Sequence, residues 1–302
     1  MKFSFPLFYP YSFFHTTKRL RTFEKSSYRY ENGIFRRTIR GQNGPLLLEI
    51  SCDKEESALQ VKIKGAYCDG EKEGLRKKVA HMFSAEVDLR PFYEQLGKDP
   101  VLSPIIEERK GMHFVLDADL HECLLKTIIG QQLNVSFAAT LTDRLVELAG
   151  DVAEFEGERW TVFPTPEQVA RLEYEQLQAL QFNRRKAEYI IDIARMIVSG
   201  ELDLDELYHY TDEEVMERLL PIRGIGRWTV ECVMLFGLGR PNLLPAQDIG
   251  LRNAVKQVYA LEERPDEKTV RRLGQSWSPY ASYVTFYLWD MLGNQNKYGK
   301  SD

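Results

Sequence analysis

A glycine hairpin between two helix signals, followed by a proline-bearing loop and an aspartate, limits most strongly how this chain can fold. It reads LLPIRGIGRWTVECVMLFGLGRPNLLPAQDIGLR over residues 219–252. Thr211 with Glu214 three residues later forms a capping-box pattern, and Val215, Met216 and Leu219 supply the apolar face of the helix it opens. Pro221 stops that helix. Gly224 and Gly226 bracket Ile225, so the backbone can take positive φ, turn sharply and aim amide N–H groups outward at the start of the next helix. That second helix is expected over Arg227–Phe236, with Val230, Val233 and Met234 at helical spacing and Gly237 and Gly239 at its end. Amides at such a helix start bind anions well. The same two glycines also suit an ordinary tight corner between helices.

Asp248 precedes the apolar-periodic run Ile249, Leu251, Ala254, Val255 and Val258, so it reads as a helix N-cap. A carboxylate there is oriented by backbone amides and kept ionised by the helix dipole. Such a carboxylate also suits cleavage of a glycosidic bond. The two roles are compatible, and the residue types alone do not choose between them.

Together these motifs resemble the helix-hairpin-helix superfamily of base-excision DNA glycosylases, and most of all its DNA-3-methyladenine glycosylase II family. The resemblance extends to LLKTIIGQQLNVSFAATLTDRLVE from Leu124, FPTPEQVARL from Phe163, RRKAEYIIDIAR from Arg184 and WSPYASYVTFYLW from Trp277, in the order the family shows. The first hundred or so residues match more loosely. The resemblance implies that Asp248 is the catalytic residue, stabilising an oxocarbenium-like sugar, orienting water, or both, once a damaged nucleotide has been flipped out of the duplex. Members that also cut the strand carry a lysine in the hairpin helix. Trp228 stands there, which implies a monofunctional enzyme with no Schiff base.

By the same resemblance Trp228 and Tyr280 line the base pocket, and Gly224, Ile225, Gly226, Arg227 and Thr229 lie against the DNA backbone. Gln131 and Gln132 match a turn that enters the minor groove, with a side chain filling the gap left by the displaced base. As residues they equally suit a polar surface turn. Trp277, Tyr283 and Trp289 read as helix-packing core. The carbonyls of Leu220, Ile222 and Ile225 would hold a structural Na+ or K+. The implied reaction is hydrolysis of the N-glycosidic bond of alkylated purines in double-stranded DNA containing damaged bases. Two alternatives remain: an 8-oxoguanine-type glycosylase, which usually has the hairpin lysine, and a noncatalytic helix-hairpin-helix DNA-binding protein in which Asp248 only caps.

Composition narrows the means of DNA contact. A formal charge of −5 and a pI near 5.7 argue against polyanion binding by the whole surface, leaving local donors and a limited basic face. Cys52, Cys68, Cys123 and Cys232 are scattered without CxxC pairing, which suits buried thiols in a reducing compartment and excludes a cysteine zinc site. With Cys232 the last cysteine, the C-terminal iron–sulfur cluster of some relatives is not expected. The apolar N-terminus MKFSFPLFYPYSFF is interrupted by Pro6 and Pro10 and lacks a cleavage pattern, so it does not read as a signal peptide. No apolar run reaches bilayer-spanning length. A monomer in the cytoplasm is expected, associated with the nucleoid if the source is bacterial.

The anticipated architecture is an α+β N-terminal domain, residues 1–105, followed by a mainly α-helical two-lobed glycosylase domain, residues 106–302, with the helix-hairpin-helix at 211–237. Strands are expected over Tyr28–Ile39 with a turn at Asn32-Gly33, over Pro45–Ser51 and over Ala58–Lys64. A covering helix follows from about Glu71 to Phe83. Arg36, Arg37, Arg40, Lys62 and Lys64 read as a solvated face, with DNA contact the alternative. Beyond Arg90 only Arg159–Phe163 suggests a strand. Asp119 with Glu122 opens a helix to Gly130, and another spans about Ser136 to Ala149.

Overall fold

The computed structural model describes residues 1–22 and 27–298. Five strands, β1 (Lys2–Pro6), β2 (Tyr28–Glu31), β3 (Ile34–Gly41), β4 (Gly44–Cys52) and β5 (Ala58–Lys64), form one antiparallel sheet in the order β1-β5-β4-β3-β2. Asn32 and Gly33 both take positive φ, 52° and 76°, as a two-residue hairpin turn of the type I′ family requires. The apolar N-terminus forms an unanticipated edge strand, with Phe3 opposite Val61 and Phe5 opposite Leu59. A short helix, α1 (Phe13–Thr17), follows it, and α2 (Lys72–Met82) buries Leu75, Val79 and Met82 in the core shared with Phe35, Leu48 and Ile50.

The basic residues of the sheet are not a free solvated stripe. Arg36, Lys62 and Lys64 converge on Glu49 at 3.0, 3.2 and 2.8 Å. Partial burial raises the Glu49 pKa, but the three cations outweigh it and hold the carboxyl at about 2. Arg40 donates to the Phe163 carbonyl and to Gln168. Arg37 is buried and donates to both carboxylate oxygens of Glu122, at 3.0 and 2.8 Å. The stripe is therefore largely used inside the molecule, where it joins the sheet to the helical region.

That region contains α3 (Arg90–Leu96), α4 (Ser103–Glu108), α5 (Leu120–Gly130) and α6 (Val135–Ala149), then strands β6 (Asp151–Phe155) and β7 (Glu158–Val162). After them come α7 (Pro166–Ala170), α8 (Tyr174–Ala179), α9 (Arg184–Ser199), α10 (Asp212–Leu219), α11 (Arg227–Phe236), α12 (Ile249–Val258), α13 (Glu267–Gly274) and α14 (Ala281–Tyr298). The strand anticipated near Arg159 has a partner, β6, and the Thr38 hydroxyl docks the hairpin on β3 through the Thr161 carbonyl at 2.6 Å. Side-chain packing changes from the sheet core to the helical core between Ala85 and Leu89, earlier than residue 105. The cause is α3 and α4, whose Phe92, Leu96, Leu102 and Ile106 already pack with the helices. Cys123 and Cys232 are buried, whereas Cys52 and Cys68 are only half-buried. Among the described residues no helix is long and apolar enough to cross a membrane.

Helix α5 is the axis of this packing, with Leu120, Cys123, Leu124, Leu125, Ile128 and Ile129 all buried. Asp119 caps it by accepting from the Glu122 amide at 2.8 Å, while the Glu122 side chain turns to Arg37 and Lys126. Removing one partner of a buried ion pair leaves the other desolvated and unpaired. Arg37→Met is accordingly expected to lower the unfolding free energy by about 3 kcal/mol or more in urea titrations. A loss below about 1 kcal/mol, the range of an exposed pair, would contradict this bridging role.

Candidate active site

The hairpin forms as its local signals dictate, with one difference. Thr211 and Glu214 make the reciprocal capping box, at 3.3 and 2.7 Å, and α10 ends at Leu219. Ile222 N–H donates to the Leu219 carbonyl and Ile225 N–H to that of Ile222, drawing the chain round. Gly224 takes φ +93°, and a Cβ there would lie 2.4 Å from the Tyr189 ring. Gly226 instead has φ −101° and ψ 171° as the N-cap of α11, so only one of the two glycines uses left-handed backbone. A Cβ at Gly226 would meet nothing within 4 Å. The amides of Arg227, Trp228 and Thr229 begin α11, lack intrahelical acceptors and donate to no other group among the described residues.

The Thr229 side chain is buried and Gln131 half-buried, and the two are bonded to each other. Gln131 Nε2 donates to the Gly224 carbonyl at 2.8 Å and to Thr229 Oγ1 at 2.9 Å, fastening the turn between α5 and α6 onto the hairpin. Lys186 Nζ reinforces that turn by donating to the carbonyls of Ile129 and Gln131, both at 2.7 Å. Burial lowers the Lys186 pKa to about 8. Gln132 is exposed with φ +57°, an uncommon conformation for a residue with a side chain, and projects from the braced turn.

Asp248 is the N-cap of α12, accepting from the Leu251 amide at 2.7 Å through Oδ1. Two indoles also donate to it: Trp289 Nε1 to Oδ1 at 2.9 Å and Trp228 Nε1 to Oδ2 at 3.2 Å. Both oxygens are thus held, by groups from α11, α12 and α14. Gly250 makes the approach of α14 possible, since a Cβ there would stand 3.0 Å from Oδ1 and 3.4 Å from Trp289 Nε1.

Trp289 is therefore part of the site and not simply core, whereas Trp277 and Tyr283 are buried as expected. Its ring stacks on Phe236, with centroids 5.9 Å apart and planes 20° from parallel. The guanidinium of Arg19 lies 4.6 Å from the Phe236 centroid. Trp228, Cys232 and Phe236 are spaced four residues apart, so they share one face of α11. Tyr280 is not joined to this cluster. It precedes α14 and meets Phe92 edge-on at 5.8 Å, while Trp289 lies nine positions further along, about 13 Å at the rise of an α-helix.

Beside the hairpin, Glu231 is buried on α11, paired through Oε1 with Arg227 at 3.2 Å and with Oε2 lacking a partner among the described residues. Burial raises its pKa to about 7 against the opposing pull of Arg227 and Arg271. Signals for Gln131 and Trp289 existed only as residue types that need partners when buried: an amide with two donors, and an indole N–H.

The sequence profile of the HhH-GPD superfamily base excision DNA repair protein matches residues 125–279. The Bacillus subtilis protein YfjP, provisionally named a DNA-3-methyladenine glycosylase, is 40% identical over 281 residues, covering 93% of this chain and 95% of that protein. A second Bacillus subtilis protein, named DNA-3-methyladenine glycosylase, is 35% identical over 221 residues, 73% of each chain. The solved 3-methyladenine DNA-glycosylase of Archaeoglobus fulgidus superposes with a TM-score of 0.85 at 27% identity, covering 95% of this chain and 97% of its own.

The two hairpin glycines differ in a way that stability and DNA affinity can separate. Gly224→Ala combines left-handed φ with a ring collision, and a loss of about 2 kcal/mol or more is expected in denaturant titrations. Gly226→Ala should leave stability within about 0.5 kcal/mol while weakening duplex DNA binding, because its Cβ intrudes only on open surface beside the free amides. Equal losses of stability would contradict the distinction.

Proposed function

Because the chain belongs to the HhH-GPD superfamily of base excision DNA repair proteins, we propose that it is a DNA-3-methyladenine glycosylase, a hydrolase that releases alkylated purines from duplex DNA. The observation that carries the reading is the carboxylate of Asp248 held by two indole N–H groups and a helix amide. Ordinary solvation is replaced by fixed donors, so the group stays oriented where positive charge develops on the deoxyribose. A base inside the stack is out of its reach, and the nucleotide must be extruded at a cost of a few kcal/mol, less for a damaged pair.

While that happens the free amides of Arg227, Trp228 and Thr229 grip a backbone phosphate, and exposed Gln132 enters the gap left in the duplex. Gln131 acts behind it by fixing the turn. The extruded purine stacks against Trp228 and Trp289, where a cationic base gains roughly 0.5 to 2 kcal/mol over an aromatic face. N-alkylation already makes the base a good leaving group. Asp248 stabilises the sugar cation and orients water; no enzyme amine attacks, since Trp228 stands at the hairpin position where lyases carry lysine.

A monovalent cation fits the hairpin by the chemistry of its donors. The Leu220 and Ile225 carbonyls accept no hydrogen bond among the described residues, and that of Ile222 accepts one, from Ile225 N–H. Neutral oxygens of this kind suit a hard ion of low charge. Bound there, it would add positive charge beside the phosphate.

Asp248→Asn should slow single-turnover release of methylated purines by at least about a hundredfold while duplex affinity survives. Borohydride should trap no covalent adduct with the wild type. Wild-type protein that binds DNA but releases no base would overturn the enzyme reading, and a trapped adduct would overturn the monofunctional one.

A further inference from the structure

Arg227 is the first residue of α11, and Glu231 lies one turn further along the same helix. The bond from Arg227 Nε to Glu231 Oε1, at 3.2 Å, is the one hydrogen bond the Glu231 side chain makes among the described residues, and Oε2 is buried without a partner there. The pair is lopsided. The Arg227 side chain is 50% exposed, that of Glu231 only 4%. Two charged groups of α13, Arg271 and Glu267, also face Glu231, but they bond each other at 2.7 Å, and Glu267 accepts from Gln247 as well. Cys232, the next residue of α11, has its thiol pushed up by burial and stays neutral. Of the other helices packed on α11, α5 turns Lys126 to Asp117 and Glu122, while α10 turns Arg218 to Glu206 and Asp212 to Arg240 and leaves Glu213 and Glu217 exposed.

A half-exposed guanidinium at the start of the hairpin helix can turn from a carboxylate to a phosphate with little loss of its own. The group it leaves behind cannot follow it into water. A buried carboxylate stripped of its counter-ion is strongly disfavoured, and taking up a proton relieves it. With Arg227 in place, burial already raises the Glu231 pKa to about 7. Withdrawing Arg227 removes an opposing pull and raises it further.

We propose that duplex binding is coupled to proton uptake at Glu231: Arg227 leaves this carboxylate for a backbone phosphate, and Glu231 takes a proton from solvent in exchange. This rests on the reading above that the hairpin grips DNA. The DNA-bound protein then holds more protons than the free protein, so affinity falls as pH rises above the free Glu231 pKa; well below it, the group is protonated in both states and the dependence vanishes.

The test is calorimetric titration of the full chain with a duplex carrying an abasic-site analogue, repeated in buffers of different ionisation enthalpy so that the protons are counted. The wild type is expected to take up close to one proton near about pH 8, and its affinity to fall about tenfold between about pH 6.5 and about pH 8.5. Glu231→Gln keeps the side-chain shape without the titration; it is expected to take up none and, at about pH 8.5, to bind about tenfold more tightly than the wild type. Arg227→Gln is expected to bind more weakly and to lose the uptake too. Binding without proton uptake, or uptake that persists in Glu231→Gln and so belongs to another group such as Lys186, would overturn the proposal and leave the glycosylase reading intact. Wild-type protein that binds no duplex would remove both.

Discussion

The proposed function depends on a carboxylate that receives three N–H donors from three different helices. One donor is local, the Leu251 amide of the helix that Asp248 itself opens. The other two are indoles carried by α11 and α14, which converge only if the helical core packs as it does. A side chain with one cap bond could swing away from the helix end; with both oxygens held, it has one orientation. The geometry thus lets one carboxylate cap α12 and face the two indoles at once.

Much of this was legible because it is local. The capping box at Thr211 and Glu214, the stop at Pro221, the start of α11 at Arg227 and the cap at Asp248 each follow from residues within a turn of one another. What was not legible depends on distant partners. Trp289 lies 41 residues from Asp248, and on α14 its neighbours Tyr287 and Leu288 are buried, so by pattern it is one more core aromatic. Gln131 binds a carbonyl 93 positions away. Arg37 looked like one arginine of a solvated strand because nothing near it in sequence reveals that Glu122 waits across the domain junction. Gly226 shows the opposite limit: a glycine selected by spacing for its φ takes an ordinary extended φ and leaves open space where a Cβ would lie.

The acidic composition poses a constraint that the hairpin answers. Its arginines are engaged: Arg223 shares Glu188 with Arg184 of α9, and Arg227 pairs with Glu231. Arg184 and Arg223 are largely exposed, and exposed pairs of that kind contribute little, so exchanging a carboxylate for a phosphate costs little. In the proposed function, the anion-binding capacity that needs no exchange comes from the amides at the start of α11, which have no acceptor among the described residues and do not enter the charge count at all. On that proposal a chain with a formal charge of −5 grips a polyanion at one place without attracting it everywhere.

The N-terminal sheet gains its meaning from how firmly it is fastened. Arg37 with Glu122 ties it to α5, Thr38 with Thr161 ties it to the β6–β7 hairpin, and Lys18 with Asp290 ties its trailing segment to α14. The first is buried and rigid, and the last sits one residue from the indole that holds Asp248. A region fastened at three places cannot be a loosely tethered appendage; its position relative to the Asp248 carboxylate is as determined as that of the helices.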